Sequence, residues 1–231
     1  MPLKSNNNQD TKRFSYYEYK YLINHRIVHQ VKGLLNELYG GSDPYPSGVV
    51  DSIYYDTMDE KLLHQCLEGN SSKIKFRIRG YGNNTYLQMH EKKKDLCSVR
   101  KKKCALIPIK QNRPHYPPWD LLTPKKEKDL DFKKISFNSS QYGILVPSIR
   151  IKYKRFRYRT YDYRITLDTN IEVSSVTNGI PRKILYGTLP DHVLEIKTTS
   201  TRPCLPFLGI LKIPQVSFSK FMLGIQMLNL D

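Results

Sequence analysis

Residues 73 to 81 read KIKFRIRGY, and over the first seven of them the alternation is strict. Ile74, Phe76 and Ile78 fall on one face, and Lys75, Arg77 and Arg79 on the other. Successive side chains of an extended chain point to opposite sides, so the three cations stand about 7 Å apart along one face. Such a strand needs an apolar environment on one side and one that tolerates aligned positive charge on the other. Like charges lined up this way repel unless something negative lies among them. For one strand, a solvated outer face satisfies this as well as a binding surface does. The pattern recurs, however. Arg100 and Lys102 share a face in SVRKKKCAL, Arg155 and Arg157 share one in SIRIKYKRFRYR, and Arg164 flanks Thr166 and Asp168 in YDYRITLDTNIEV. Several such strands in one sheet make a cationic surface.

The remaining periodicities say what accompanies these strands. FSYYEYKYLI (14 to 23), residues 49 to 55, TYLQMHEKKK (85 to 94) and HVLEIKTT (192 to 199) also read as strands. Ile27, Val31, Leu34, Leu35 and Leu38 recur at helical spacing, and Gly40-Gly41 ends that helix. Residues 60 to 67 read as a short helix. Phe218, Phe221, Met222 and Ile225 predict another near the C-terminus. The Lys- and Pro-rich stretch 108 to 147 separates the strand groups, with a short helix predicted after Pro117-Pro118. Residues 1 to 12, polar and Asn-rich, are expected to be disordered, and residues 13 to 231 to form one domain. Many strands joined by hairpins, with helices at the periphery, predict an antiparallel α+β fold. A sheet that closes on itself would put its apolar face under helices and its cationic face around a lumen.

Charge and composition narrow the function. The 231 residues carry 38 Lys plus Arg against 21 Asp plus Glu, a formal net charge of +17. The partner of such a chain is expected to be a polyanion: nucleic acid, an anionic membrane, or a phosphate-rich molecule or polymer. No run of 18 apolar residues exists to cross a membrane as a helix. The opening MPLKSNNNQDTKR lacks the apolar segment of a secretory signal, and the four cysteines show no CxxC spacing. Reduced thiols and a cytoplasmic location are the expectation. Of the six histidines, His25 and His29 are four apart, but no zinc pattern emerges.

Carboxylates occur inside the same strands, each as E-x-K: Glu18 with Lys20, Glu91 with Lys93, Glu195 with Lys197. Acid and base then point the same way. One such pair reads as a salt bridge; three in a basic sheet read as a place for a divalent cation beside a phosphate chain. Mg²⁺ and Mn²⁺ take one or two protein carboxylates and complete their shells with phosphate oxygens. No GxxxxGK[ST] loop is present, so capture of a nucleotide would not be of the Walker type.

In order along the chain, EYKYLI (18 to 23), SIYYDT (52 to 57), KFRIRGYG (75 to 82), HEKKK (90 to 94), YKR (153 to 155), YRITLDTNI (163 to 171), VLEIKTT (193 to 199) and FSKFMLGI (218 to 225) resemble the VTC domain. This is the polyphosphate polymerase domain of the vacuolar transporter chaperone complex, of the triphosphate tunnel metalloenzyme or CYTH-like group. The resemblance implies a tunnel-shaped antiparallel barrel lined with Lys, Arg and Glu, with ATP and inorganic polyphosphate as its partners and Mn²⁺ or Mg²⁺ as its cofactor. It implies that Arg77, Arg79 and Lys220 are catalytic. It implies phosphate-binding roles for Lys20, Lys75, Lys93, Arg100, Arg155, Arg164, Lys197 and Ser219, and metal binding by Glu195. Ser217 stands where eukaryotic-type members carry a lysine, and Tyr16 replaces one glutamate of the triphosphatase ExExK motif. Three alternatives accompany the polymerase: a tunnel triphosphatase, a non-catalytic polyphosphate-binding module, and an RNA-binding domain. Glu91 and Glu195 on the cationic faces would repel RNA, which argues against the last.

Overall fold

Alternation in the sequence becomes a single curled antiparallel sheet. The computed structural model describes residues 17–68, 72–81, 84–93, 99–106, 137–139, 141–177, 180–201, 203–217 and 219–228. The elements are β1 (Tyr17–Ile23), α1 (Val28–Tyr39), β2 (Ser47–Asp56), α2 (Lys61–Leu67), β3 (Ser72–Tyr81), β4 (Asn84–Lys93) and β5 (Val99–Leu106). They continue with β6 (Phe137–Ser139), β7 (Gly143–Arg159), β8 (Tyr163–Thr177), β9 (Ile180–Thr188), β10 (His192–Thr198), α3 (Pro206–Ile210) and α4 (Lys220–Leu228). The strand order is β1-β10-β8-β7-β2-β3-β4-β5, with β6 added to β7 and β9 to β8.

The curl is visible in the electrostatics. β1 and β3 are separated in the sheet by four strands, yet the ammoniums of Lys20 on β1 and Lys75 on β3 repel each other across the lumen. The antiparallel α+β tunnel expected from the sequence is therefore the fold observed. The disorder expected of residues 1 to 12 and the helix predicted after Pro117-Pro118 concern segments outside the described residues.

Three apolar clusters fix the curl. On the convex side, Tyr21, Ile23, Leu194, Ile196, Ile165 and Leu167 pack under α1 and α3. Also outside, Ile53, Tyr55, Ile74 and Ile78 pack with Leu62 of α2. On the concave side, Val50, Ile149, Ile151, Tyr153, Ile171 and Val173 receive Phe221, Ile225 and Leu228 of α4. α4 thus fills part of the interior, and its first residue, Lys220, leads into the polar remainder.

Local chemistry sets the ends of these elements. α1 stops at Gly40, where a first side-chain carbon would stand 2.3 Å from the carbonyl oxygen of Asn36. Asp56 organises α2: Oδ1 accepts the amides of Thr57 and Leu62 at 2.7 and 2.9 Å, and Oδ2 accepts that of Leu63 at 2.9 Å. The Leu62 and Leu63 amides are donors that a helix start leaves without intrahelical partners. β8 shifts register near Asn170, whose φ of 51° suits asparagine better than most residues. The shift lets β8 turn polar side chains inward before it and apolar ones after it. Among the described residues, no helix is long and apolar enough to cross a membrane.

Candidate functional site

β3 builds one wall of the lumen. Its outward residues Ile74 and Ile78 are buried against the sheet's outer cluster, which forces Lys75, Arg77 and Arg79 inward. Pairing with β2 sets Tyr54 opposite Arg77 and Ser52 opposite Arg79. Arg79 Nε donates to Ser52 Oγ at 2.8 Å, and Arg77 Nη1 donates to Tyr54 Oη at 3.2 Å. Lys75 Nζ donates to Ser219 Oγ at 2.7 Å, and Ser219 Oγ also accepts the amide of Met222 at 3.3 Å. One hydroxyl therefore caps the start of α4 and holds a β3 cation.

The facing wall is laced with carboxylates. Leu194 and Ile196 point into the outer core, so Glu195 and Lys197 of β10 point into the lumen. Register places Lys20 of β1 beside Glu195, and Glu18 beside Lys197. Glu18 bridges Lys20 at 3.3 Å and Lys197 at 3.2 Å, while Lys197 also pairs with Glu195 at 2.8 Å. Between the walls, Asp168 of β8 accepts two bonds from Arg155 of β7, Nε to Oδ1 at 2.6 Å and Nη2 to Oδ2 at 2.7 Å. Lys220 Nζ reaches Asp168 Oδ2 at 2.7 Å. The Tyr153 ring lies 5.3 Å from the Arg155 guanidinium and 5.1 Å from Lys220 Nζ.

Protonation follows from this crowding. Burial opposes ionisation of Glu195, but Lys197, Lys20, Arg155 and Lys220 together hold it well below the ordinary carboxylate range. Asp168 is likewise lowered, burial being outweighed by Arg155 and Lys220. Burial lowers Lys75 to about 8, with Lys20 and Arg77 adding repulsion. Tyr54 is the unusual group: burial pushes its phenol up, yet Arg77, Arg79 and Lys75 bring it down to about 7. Tyr153 is pushed up to about 12 by burial.

Nine of the residues singled out from the sequence thus line one lumen: Lys20, Lys75, Arg77, Arg79, Arg155, Glu195, Lys197, Ser219 and Lys220. Arg164 lies in register with Lys197 and Arg159 and is exposed, further out than the rest. Lys93 and Arg100 fall on β4 and β5, and their side chains lie outside what is described. The sequence places Asp168 on the face of Arg164 without giving it a role, and it does not single out Tyr54 or Ser52. The signal for Asp168 was present, since alternation in YRITLDT puts it on the face of Arg164. Tyr54 and Ser52 gave none, because only strand pairing sets them against arginines. Among the described residues, no three His, Cys, Asp or Glu side chains converge enough to hold a metal unaided. Glu195 and Glu18 offer ionised oxygen donors of the type that Mg²⁺ and Mn²⁺ accept when phosphate supplies the other ligands.

A curled antiparallel sheet around a basic, carboxylate-laced lumen is the class this geometry defines. The sequence matches the VTC domain model over residues 15–229, and the chain belongs to the VTC domain family. No curated protein matches it. Among solved structures, a proposed adenylate cyclase from Bacillus halodurans shares 16% identity, covering 89% of this chain and 96% of that one, with a TM-score of 0.49. A proposed adenylyl cyclase from Hippeastrum, described as revealing a dominant triphosphatase activity, shares 14% over 91% and 95%, with a TM-score of 0.42. An inorganic triphosphatase shares 12% over 91% and 95%, with a TM-score of 0.32.

Proposed function

We propose that the chain is an ATP-dependent polyphosphate polymerase that transfers the γ-phosphoryl group of ATP to a growing inorganic polyphosphate chain within the lumen. The observation that carries this reading is the convergence of Lys20, Lys75, Arg77, Arg79, Arg155, Lys197 and Lys220 on one interior surface in a VTC domain. Phosphoryl transfer needs positioning and charge neutralisation more than a covalent nucleophile. Arg77 and Arg79 are permanently charged forks suited to bidentate contact with phosphate oxygens, and Tyr54 and Ser52 fix their orientation. Lys75 and Lys220 add point charges at the start of α4, where Ser219 joins helix and strand. An acceptor that is itself a terminal phosphate is already anionic, so no side chain has to remove a proton from it. Glu195, with Glu18 beside it, would hold a Mg²⁺ or Mn²⁺ ion, which when bound offsets the triphosphate charge and polarises the transferred group.

The test is incubation of the purified protein with ATP and Mn²⁺ or Mg²⁺, followed by separation of products on a gel. Long phosphate chains with ADP are expected. A folded Arg79→Ala variant is expected to lose most of this activity. Orthophosphate alone would replace the polymerase with a tunnel triphosphatase, and binding without turnover would leave a polyphosphate-binding module.

A further inference from the structure

Tyr54 is a buried phenol aimed into the basic lumen. Its exposure is 5%, its ring stacks on Phe221 of α4 at 5.4 Å, and its Oη accepts the bond from Arg77 Nη1 at 3.2 Å. The charged and titratable groups that face it are Lys75, Arg77 and Arg79 from β3 and the Tyr153 phenol from β7. From α2, Cys66 sits beside Lys75; α4 presents the apolar Phe221 ring. Among the described residues, none of these accepts the Tyr54 O–H. A buried hydroxyl whose hydrogen has no acceptor costs on the order of 1–3 kcal/mol. Two events relieve that cost. The proton leaves, and the oxygen becomes a counter-charge for the cations, or an anion arrives and accepts the hydrogen bond.

We propose that Tyr54 is a proton-linked member of the anion site. Before an anion binds, its oxygen serves as counter-charge to Lys75, Arg77 and Arg79; when a phosphate chain binds, it takes up a proton from solvent and donates a hydrogen bond to a phosphate oxygen. No bond to phosphorus forms, and the sole change is one proton moved from solvent to the phenolate. The inference rests on the reading of the lumen as a phosphate site. The balance of forces supports it: burial raises this phenol, and the three cations overturn that and bring it to about 7. A bound phosphate chain would neutralise those cations and let burial prevail, as it does for Tyr153. Lys75, lowered to about 8, would also gain a proton on binding. Proton counting therefore does not separate the two groups, whereas phenolate absorbance does.

The experiment titrates inorganic tripolyphosphate, which does not absorb in the near ultraviolet, into the full chain and into Tyr54→Phe at about pH 8, where a phenol of this kind is roughly nine-tenths ionised. Phenolate absorbance and the heat of binding are followed together. The wild type is expected to lose up to about one phenolate per molecule as binding saturates, and Tyr54→Phe to bind without that loss. Binding by the wild type with no phenolate loss, or an equal loss in Tyr54→Phe, overturns the role of Tyr54 and leaves the lumen as a phosphate site. Absence of binding by the wild type overturns both.

Discussion

Asp168 holds the interior together at the scale of one side chain. It is fully buried and serves Arg155 and Lys220 at once. Replacement by Asn would leave two buried cations with one acid fewer, and breaking a buried pair this way costs about 3–5 kcal/mol. Denaturant unfolding of Asp168→Asn should show a loss of that size, while the exposed Arg164→Ala should change stability by no more than about 0.5 kcal/mol. Because Asp168 is lowered in the fold, its contribution is complete above the unfolded carboxylate range and disappears as pH falls through its folded value. His192 acts in a higher window. Burial depresses it, Asp191 opposes, and His25 and His29 depress it further; its Nδ1 has no hydrogen-bond partner among the described residues. A histidine lowered in the fold stabilises above its unfolded value near 6.5, and that stability is lost as acid protonates the unfolded chain first. Melting at about pH 7.5 and about pH 5.5 should show a larger acid loss in the wild type than in His192→Asn. Equal losses would remove His192 from the account. The sequence made His25 and His29 visible as a pair at helical spacing, but only the pairing of His192 with Ile23 brings the third imidazole into their field.

Among the elements, α4 is where apolar packing and site meet. Its face was legible from Phe221, Met222 and Ile225, and the strands with strict alternation were legible for the same reason: one side of each is buried. β9 was not read as a strand, because Pro181 and Gly187 punctuate it and its partner is a single neighbour, β8. α3 is one turn and a half begun by Pro206, too short for periodicity. Neither line of sequence logic finds Gly224. A first side-chain carbon there would stand 3.0 Å from both Ile149 Cδ1 and Val173 Cγ1. Gly224→Ala gains about 1 kcal/mol of helix propensity and loses about 1–3 kcal/mol to overpacking. The melting temperature should therefore move little or fall slightly. The contact is relieved by small shifts of the Ile149 and Val173 methyls together with a lift of α4 from β7 and β8, and that lift would carry Ser219 and Lys220 away from Lys75 and Asp168. ATP-dependent activity should fall several-fold more than stability does, as measured by turnover beside thermal melting. Unchanged turnover would mean that α4 need not be held at this depth.

For the molecule as a whole, the relevant quantity is the excess of cations that an entering polyanion would meet. The described lumen presents Lys20, Lys75, Arg77, Arg79, Arg155, Lys197 and Lys220 against Glu18, Glu195 and Asp168. The acids are concentrated on the wall formed by β1, β10 and β8, and they are already engaged with lysines and Arg155. They lower the self-repulsion that folding a chain of net charge +17 incurs, and they do so without cancelling the cations. Binding of a polyphosphate chain should then release counter-ions, as phosphate neutralisation does for nucleic acids, with a steep dependence of affinity on salt. Affinity for a long polyphosphate should fall roughly tenfold or more between about 50 and 200 mM salt. A calorimetric or fluorescence titration at several salt concentrations measures the slope directly. Arg77→Ala should flatten that slope, because one fewer phosphate is neutralised, whereas the exposed Arg164→Ala should alter it less. An affinity insensitive to salt would show that Glu18, Glu195 and Asp168 balance the lumen internally, and that neutralisation of its cations does not drive the binding.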